Sequence, residues 1–522
     1  MFVKLLASVI GTLGAYGLYE VLKLFCQEFN SPLRHLPGPK PDHWFYGNFR
    51  EIWKAENSVM HEKWVREYGP TLRYKGFFGL TRLYTTDTKA LNHFLVNSYI
   101  YQKPAPARYT LSRIVGPGVL VVEGDIHKQQ NPAFGAPQIR ELTEIFIQKS
   151  LELRDIWATQ TAKDGGTARI NVLTWLSKAT LDIIGLAGFN YKFNALTTDS
   201  DENPNELAKA FSTIFVAASR MDSIRILQAW IPFFRFIVRT MMRIGRQILQ
   251  ESKNEMAESG TFEKGRARDL LSLLVRANTA KDIPANQQLS DEDVLAQVPT
   301  FLVAGHETTS TAVTWALFAL TQAMAVQTRL RNELLAVSTD NPTMDELNAL
   351  PYLDCVVRET LRVHAPVPST IRIATQDDIV PLRVPFTDIY GVVHETLKVK
   401  KGQTIMIPIL AMNRDANIWG PDAMEFVPER WESLTPISNV LPGVWGNMLT
   451  FLGGPRACIG YRFSLVEMKA LLFTLVRAFE FELAVPVADI GKKSSIVQRP
   501  IRRSEPEVGN QMPLLIKPYV RS

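Results

Sequence analysis

Cysteine is nearly absent from this chain: its 522 residues hold only Cys26, Cys355 and Cys458. The three lie far apart and show no CxxC, which argues against a disulfide framework and against a zinc site, and fits a reducing compartment. There is no internal repeat, no low-complexity tract and no second composition shift after residue 42. No flavin or nicotinamide fingerprint occurs, so any redox chemistry would draw its electrons from a separate protein. Charge of one sign is not concentrated either. Lys and Arg number 58 against 52 Asp and Glu, a net +6. The densest basic cluster, "RPIRRS" at 499–504, reads as a solvated loop, and no nucleic-acid partner is expected. What remains is ordinary globular material, 46% hydrophobic and 21% charged, with enough apolar residues for a sizeable core.

From Leu5 to Tyr19 the stretch "LLASVIGTLGAYGLY" contains no charge. A spanning helix wants roughly 20 residues, so the expected span continues to Phe25, with Glu20 and Lys23 near the interface. Residues 1–26 are read as a transmembrane signal-anchor rather than a cleaved leader, because nothing downstream is built for an oxidising compartment. Lys23, Arg34 and Lys40 follow the span and only Lys4 precedes it, which by the positive-inside rule puts the body in the cytosol. Pro32, Pro37, Pro39 and Pro41 make 27–41 a stiff, non-helical hinge.

The body, 42–522, is dominated by helical periodicity. Apolar residues three and four apart predict helices over 143–162 and 175–189. Strand patterns are short, at 71–86 and 404–412. The longest helix is expected over 292–324, with Ser290 and Asp291 as cap candidates and Pro299 bending it locally. It is apolar on nearly every face and should cross the middle of the fold. The fold class is therefore mainly α, a single large domain with small β-sheets behind an N-terminal transmembrane helix.

One cysteine sits in unusual surroundings. "FLGGPRACIG" (451–460) leads Cys458 out of a Gly-Gly-Pro turn into "YRFSLVEMKALLFTLVRAF", read as a strongly amphipathic helix. Free backbone N–H groups and the positive dipole end of that helix would favour thiolate over thiol. Arg456 offers a cation suited to a carboxylate, and Gly460 clears room for something flat and bulky to approach the backbone. A capped, buried structural cysteine would need none of this.

The ten residues resemble the haem-thiolate signature of the cytochrome P-450 monooxygenases, and further motifs follow in the family's order. By that resemblance Cys458 is the axial metal ligand of haem b, Phe451 packs near the sulfur, and Arg456 pairs with a haem propionate. "AGHETT" (304–309) falls inside the long apolar helix. The resemblance implies that Ala304 and Gly305 let the helix approach the haem, and that Glu307 and Thr308 relay protons for dioxygen activation. The bland alternative is a hydroxyl bonding back to the preceding turn; Thr309 reads as packing. "ETLR", with Glu359 and Arg362, together with Arg430 of "PERW", implies a buried network that holds the haem-binding loop. Arg372 in "PSTIRI" matches a second propionate partner, with 366–373 lining the pocket.

The resemblance runs over about 36–517, most closely to fungal microsomal members, and one stretch departs from it. The family places Trp or His four residues before an arginine, both reaching the propionates. Here His127 is present, but Asn131 stands where the arginine is expected, Pro132 follows at once, and the segment is short by about one helical turn. The resemblance implies oxygenation of a lipophilic small molecule, such as a terpenoid of fungal secondary metabolism, with the apolar segment 215–241 facing substrate and membrane. Its electrons would come from an NADPH–cytochrome reductase, with a cytochrome b-type protein as a further donor. The location implied is the endoplasmic reticulum membrane, single-pass, with the catalytic body cytosolic. Two rival readings are a haem protein with little or no turnover, because of the segment after His127, and a haem-thiolate isomerase or dehydratase. The intact Glu307–Thr308 pair argues against the latter.

Overall fold

The computed structural model describes residues 2–129, 135–197, 241–251, 253–254, 269–271, 290–433, 441–493 and 496–521. Asn131, Pro132 and all of the apolar segment 215–241 except its last residue lie outside the described residues. In chain order, the elements that position the site begin with α1 (Phe2–Phe29), β1 (Thr71–Lys75), β2 (Thr81–Thr85) and β3 (Tyr101–Gln102). There follow α2 (Ala105–Val115), α3 (Gly124–Gln129), α4 (Ala136–Lys163), β4 (Ala168–Asn171), α5 (Val172–Phe189), α6 (Asp291–Gln322) and α7 (Pro351–Val363). Next come β5 (Thr370–Ala374), β6 (Asp378–Thr387), β7 (Val393–Val399) and β8 (Thr404–Ile407). The last are α8 (Tyr461–Ala478), β9 (Phe479–Leu483), β10 (Ile490–Lys493), β11 (Arg499–Arg502) and β12 (Pro513–Pro518).

The chain divides into two compact units, which no shift in composition announces. The β-rich unit comprises 1–102 and 370–408. Its five strands run in the order β1-β2-β8-β5-β3, with β2 and β8 parallel and the other pairs antiparallel. The expected strand over 71–86 is two strands, because Phe77–Gly79 turn the chain back on itself. The strand expected over 404–412 stops at Ile407, and Ile409–Asn413 are helical. Pro408 is the cause: it has no N–H with which to extend the ladder.

α1 carries 26 apolar-patterned residues, Lys4–Phe29, of mean hydropathy 1.5 and with none buried. α5 meets the same length and composition criterion but is mostly buried within the protein. The stiff hinge read over 27–41 is not wholly non-helical, because α1 runs on to Phe29 and a short helical turn follows. Pro32–His35 form a 3-10 turn, and Leu33 and Leu36 are buried. Glu28 accepts bonds from Lys75 Nζ (2.7 Å) and the Thr81 N–H (2.8 Å), so the end of α1 is fastened to β1 and β2.

The α-rich unit comprises 103–369 and 409–522. α6 lies at its centre, packed on α5, α7 and α8. Ser290 caps it through a reciprocal capping box with Asp293, which satisfies two N–H groups that the first turn leaves free. The helix runs unbroken past Pro299. The loop after α2 closes on this turn, with Thr300 Oγ1 donating to the Val115 carbonyl (2.8 Å) and Gln297 Oε1 accepting from the Val119 N–H (2.9 Å). α8 departs from the amphipathic reading. Every residue from Leu465 to Val476 is buried, because α8 is sandwiched between α4 and α6. Phe146 and Phe463 seal the contact with α4 edge to face, 4.7 Å between ring centroids. Strands β4, β12 and β9 form a small antiparallel sheet, and β10 pairs with β11.

Candidate active site

The turn before α8 is shaped by backbone constraints that few residues satisfy. Leu452 and Gly454 adopt positive φ, 55° and 68°. A Cβ on Gly453 would stand 1.5 Å from the Pro442 carbonyl oxygen, so only glycine fits there. The Cys458 N–H donates to the Phe451 carbonyl at 2.8 Å, closing the loop. The Phe451 ring is buried against Trp445 and Tyr461. Gly460 is the N-cap of α8, with an ordinary negative φ of −88°.

Cys458 is an exposed residue, yet the protein around its thiol desolvates it strongly. Burial pushes its pKa up to about 11, and a hydrogen bond from the Gly460 N–H only partly opposes this. The expected dipole-stabilised thiolate is therefore not what the protein alone provides. The cysteine precedes the N-cap by two residues, beyond the first turn in which the dipole acts. The resting group is a neutral thiol that a bound metal cation would deprotonate.

α6 supplies the facing chemistry. From Val294 to Leu317 only Val303, Ala304, Gly305 and Thr308 are not buried. Ala304 and Thr308, four apart, share one face, so a helix otherwise enclosed by protein opens over a single turn of small side chains. Thr308 Oγ1 donates to the Ala304 carbonyl at 2.8 Å, the back-bonded geometry, which leaves the hydroxyl oxygen free to accept. Gly305 has a packing reason for its size as well: a Cβ there would lie 2.9 Å from Ile184 Cγ1 of α5.

Glu307 points elsewhere. Its buried carboxylate accepts from Arg499 Nε at 2.8 Å and from Arg499 Nη2, with His306 Nε2 at 3.5 Å. Burial would raise its pKa, but Arg499 and then His306 outweigh burial and hold it below the usual carboxylate range. Arg499 belongs to "RPIRRS", so that cluster is not a solvated loop. Residues 499–502 are β11, and Arg502 pairs with Asp489 and Glu505. No local pattern signals this pair, whose members are 192 positions apart. A second acid was also missed. Glu467 on α8 is fully buried, and neither of its carboxyl oxygens has a hydrogen-bond partner among the described residues. Burial raises its pKa well above the carboxylate range; the nearby Thr309 hydroxyl pulls the other way but is engaged by Ser464 Oγ at 3.1 Å. In the sequence it read as part of a solvated helix face.

Arg456 is buried, with Nη2 donating to the Val122 carbonyl at 2.7 Å and paired with Glu123 Oε2 at 2.7 Å, while Nη1 has no partner. His127 on α3 is buried in the same neighbourhood. Desolvation first, then the charges of Arg456 and Lys103, press its pKa down to about 4, so it is a neutral imidazole. Arg372 lies in the β-rich unit on β5, buried, with Nη1 on Thr370 Oγ1 (3.0 Å) and the Ile371 carbonyl (2.9 Å).

The expected structural network is present. Arg362, fully buried, grips Glu359 with two parallel bonds of 2.8 and 2.7 Å and reaches the carbonyls of Asn413, Ala423 and Glu425. Glu359 also accepts from the Val427 N–H and Trp431 Nε1, and Arg430 approaches it at 3.4 Å.

Comparison with known proteins gives the same arrangement a family. The cytochrome P-450 family model matches residues 37–504. Two proteins of Postia placenta are similar over nearly their whole length. Cytochrome P-450 monooxygenase 205 is 54% identical over 97% of this chain and 96% of its own. Cytochrome P-450 monooxygenase 128 is 51% identical over 98% and 97%. The cytochrome P-450 monooxygenase claQ of Ampulloclitocybe clavipes is 34% identical over 99% and 96%. With the family model spanning both units and these relatives aligned end to end, the chain belongs to the cytochrome P-450 family and is a haem-dependent monooxygenase.

Proposed function

We propose that this chain inserts one oxygen atom of dioxygen into a lipophilic small molecule, by hydroxylation or epoxidation, in fungal secondary metabolism such as terpenoid biosynthesis. It draws electrons from a separate NADPH–cytochrome reductase. The observation that carries this reading is Cys458, an exposed residue held in a sterically fixed turn, whose thiol the surrounding protein desolvates.

The residues present fit a haem. Cys458 would supply its thiolate ligand, Nη1 of Arg456, with no partner among the described residues, is a buried donor suited to a carboxylate, and the Ala304–Thr308 turn offers a small-residue surface. Haem, when bound, supplies the reductive activation of dioxygen and the transfer of one oxygen atom to carbon. The protein supplies the rest. Cys458 gives a soft, anionic ligand once deprotonated. Thr308 presents a hydroxyl oxygen that can accept a hydrogen bond while its own proton is held by the Ala304 carbonyl. Glu307, paired with Arg499 and held below the usual carboxylate range, keeps a fixed negative charge within α6. A role for α1 as a single-pass anchor in the endoplasmic reticulum, with the body cytosolic, rests on its length and apolar surface and on the basic residues that follow it.

Full-length protein reduced under carbon monoxide is expected to show the strongly red-shifted Soret band of a thiolate complex, and Cys458→Ser is expected to lose it. With reductase, NADPH and isotopically labelled dioxygen, one labelled atom should appear in a lipophilic product. A red-shifted band that survives in Cys458→Ser would overturn the ligand assignment. Turnover that leaves the label out of product would overturn the monooxygenase chemistry.

A further inference from the structure

We propose that Arg108 and Arg113 on α2 are anion-binding residues of the haem pocket, and that they take the place of the arginine expected four residues after His127. This rests on the haem-thiolate reading above.

A guanidinium carries five N–H donors and no acceptor, so in a folded protein its shielded nitrogens are ordinarily bonded. Here Arg108 Nε, Arg113 Nε, Arg113 Nη2 and Arg456 Nη1 are all shielded from solvent and donate to nothing among the described residues. Three arginines of one unit share the same deficiency. The charge of Arg108 is close enough to act on Arg456, and Arg113 lies five residues further along the same helix, its guanidinium 5.9 Å from the Tyr109 ring centroid. Glu123 pairs with one guanidinium of the three, through Arg456 Nη2. His127, beside Arg456, is neutral and adds no charge. A partly desolvated group of like charges with unused donors is costly by itself. It becomes favourable when a ligand brings carboxylates whose planar geometry matches the guanidinium fork. Haem brings two.

The backbone positions α2 for this task. Its C-terminal carbonyl, Val115, is bonded by Thr300 Oγ1, and the loop after it is bonded by Gln297, both on α6. Thr300 is one turn before Ala304, so α2 is fixed to the same helix that presents the small-residue stripe. The missing arginine on the segment after His127 is thus answered from a different element.

The test compares wild type with Arg108→Gln, Arg113→Gln and Arg108→Lys as purified full-length protein, using Arg140→Gln as a surface control, since Arg140 is an exposed partner of Asp345. Transfer of haem to apomyoglobin is the first readout. The Gln variants should keep the thiolate-type carbonyl spectrum but lose haem about tenfold faster or more, as expected for removing a charge-assisted bond. Arg108→Lys should fall between wild type and Arg108→Gln. The second readout is thermal unfolding of the haem-free protein. Removing one like charge should leave the apoprotein as stable as wild type or more so, whereas a merely structural arginine would destabilise both forms. Haem loss no faster than wild type in both Gln variants overturns this assignment alone. A wild-type chain that takes up no haem overturns the haem-thiolate reading and this assignment with it.

Discussion

Replacing Arg499 with Gln should change which protonation state Glu307 keeps. In wild type the carboxylate is buried and is held ionised chiefly by Arg499, whose Nε lies 2.8 Å from Oε2. Removing one partner of a buried ion pair costs about 3–5 kcal/mol. Part of that cost is relieved by protonation, so losing Arg499 raises the Glu307 pKa. Burial, the largest influence on this group, then acts against His306 alone, so Glu307 moves from below the usual carboxylate range to above it. The sign of the pH dependence therefore inverts. In wild type the pair contributes stability that is present above the ordinary carboxylate pKa and is lost as pH falls through the lowered folded value. In Arg499→Gln, stability is instead lost as pH rises through the ordinary range toward the raised value. The two proteins should differ most on the alkaline side and converge in acid. The assay is denaturant unfolding of wild type, Glu307→Gln, Arg499→Gln and the double variant between about pH 4 and about pH 9. A coupling energy of about 3 kcal/mol is expected at the alkaline end, fading toward pH 4. Additive single costs at every pH would show that the two side chains do not form this pair in solution.

Glu467→Gln removes an acid whose raised pKa makes wild-type stability fall as pH climbs from the ordinary carboxylate range toward that raised value. The thermal midpoint of the variant relative to wild type should therefore rise with pH, and a flat difference would refute the buried neutral acid. Arg362→Leu strands a fully buried carboxylate and three carbonyls. At about 3–5 kcal/mol for the pair and about 1–3 for each unsatisfied group, the loss rivals a whole net stability of about 5–15. No folded protein should be recovered, and a near-normal melting curve would refute this. Thr308→Ala should bind haem normally but divert NADPH to peroxide, with product formation down about 10²–10⁴-fold if the hydroxyl serves proton transfer; an unchanged ratio of product to NADPH would sink that role. Deleting residues 1–26 should release the protein from membranes at alkaline carbonate, and full retention would show that the anchor lies elsewhere.

What could be read from the sequence was what is encoded locally. The cysteine turn was visible because Gly453 and Gly454 meet demands set within one loop, by Pro442 eleven positions earlier and by a positive φ. The start of α6 was visible through Ser290, which is its cap, whereas the other candidate, Asp291, is the first helical residue and Asp293 completes the cap. The Glu359–Arg362 pair was visible because three positions on a helix share a face. What was missed depends on distant chain or on depth. Arg499 and Glu307 meet across a long separation, so a basic cluster looked like a loop. Glu467 and Lys469 sit inside the protein, the latter only because Asp354 and Asn348 receive it, so α8 seemed to have a wet face. The thiol of Cys458 responds to desolvation, which no local spacing reports. At Pro408 the information was present, but the apolar run on either side outweighed it.

The fastening of Glu28 to Lys75 and Thr81 has a mechanical consequence. With α1 in a bilayer, the β-rich unit cannot swivel about a slack tether, because the last turn of the helix, the 3-10 turn and strands β1 and β2 move as one piece. Tilting the helix tilts the sheet. A partner diffusing in the same membrane then meets this unit in a narrow range of orientations and searches mainly by rotation about the membrane normal. Part of the orientational entropy that two freely tumbling proteins lose on docking has already been removed by one carboxylate at the end of a helix. Glu28→Ala should loosen that constraint without touching the chemistry, slowing encounter with a membrane-bound electron donor while leaving reduction by a small soluble reductant unchanged.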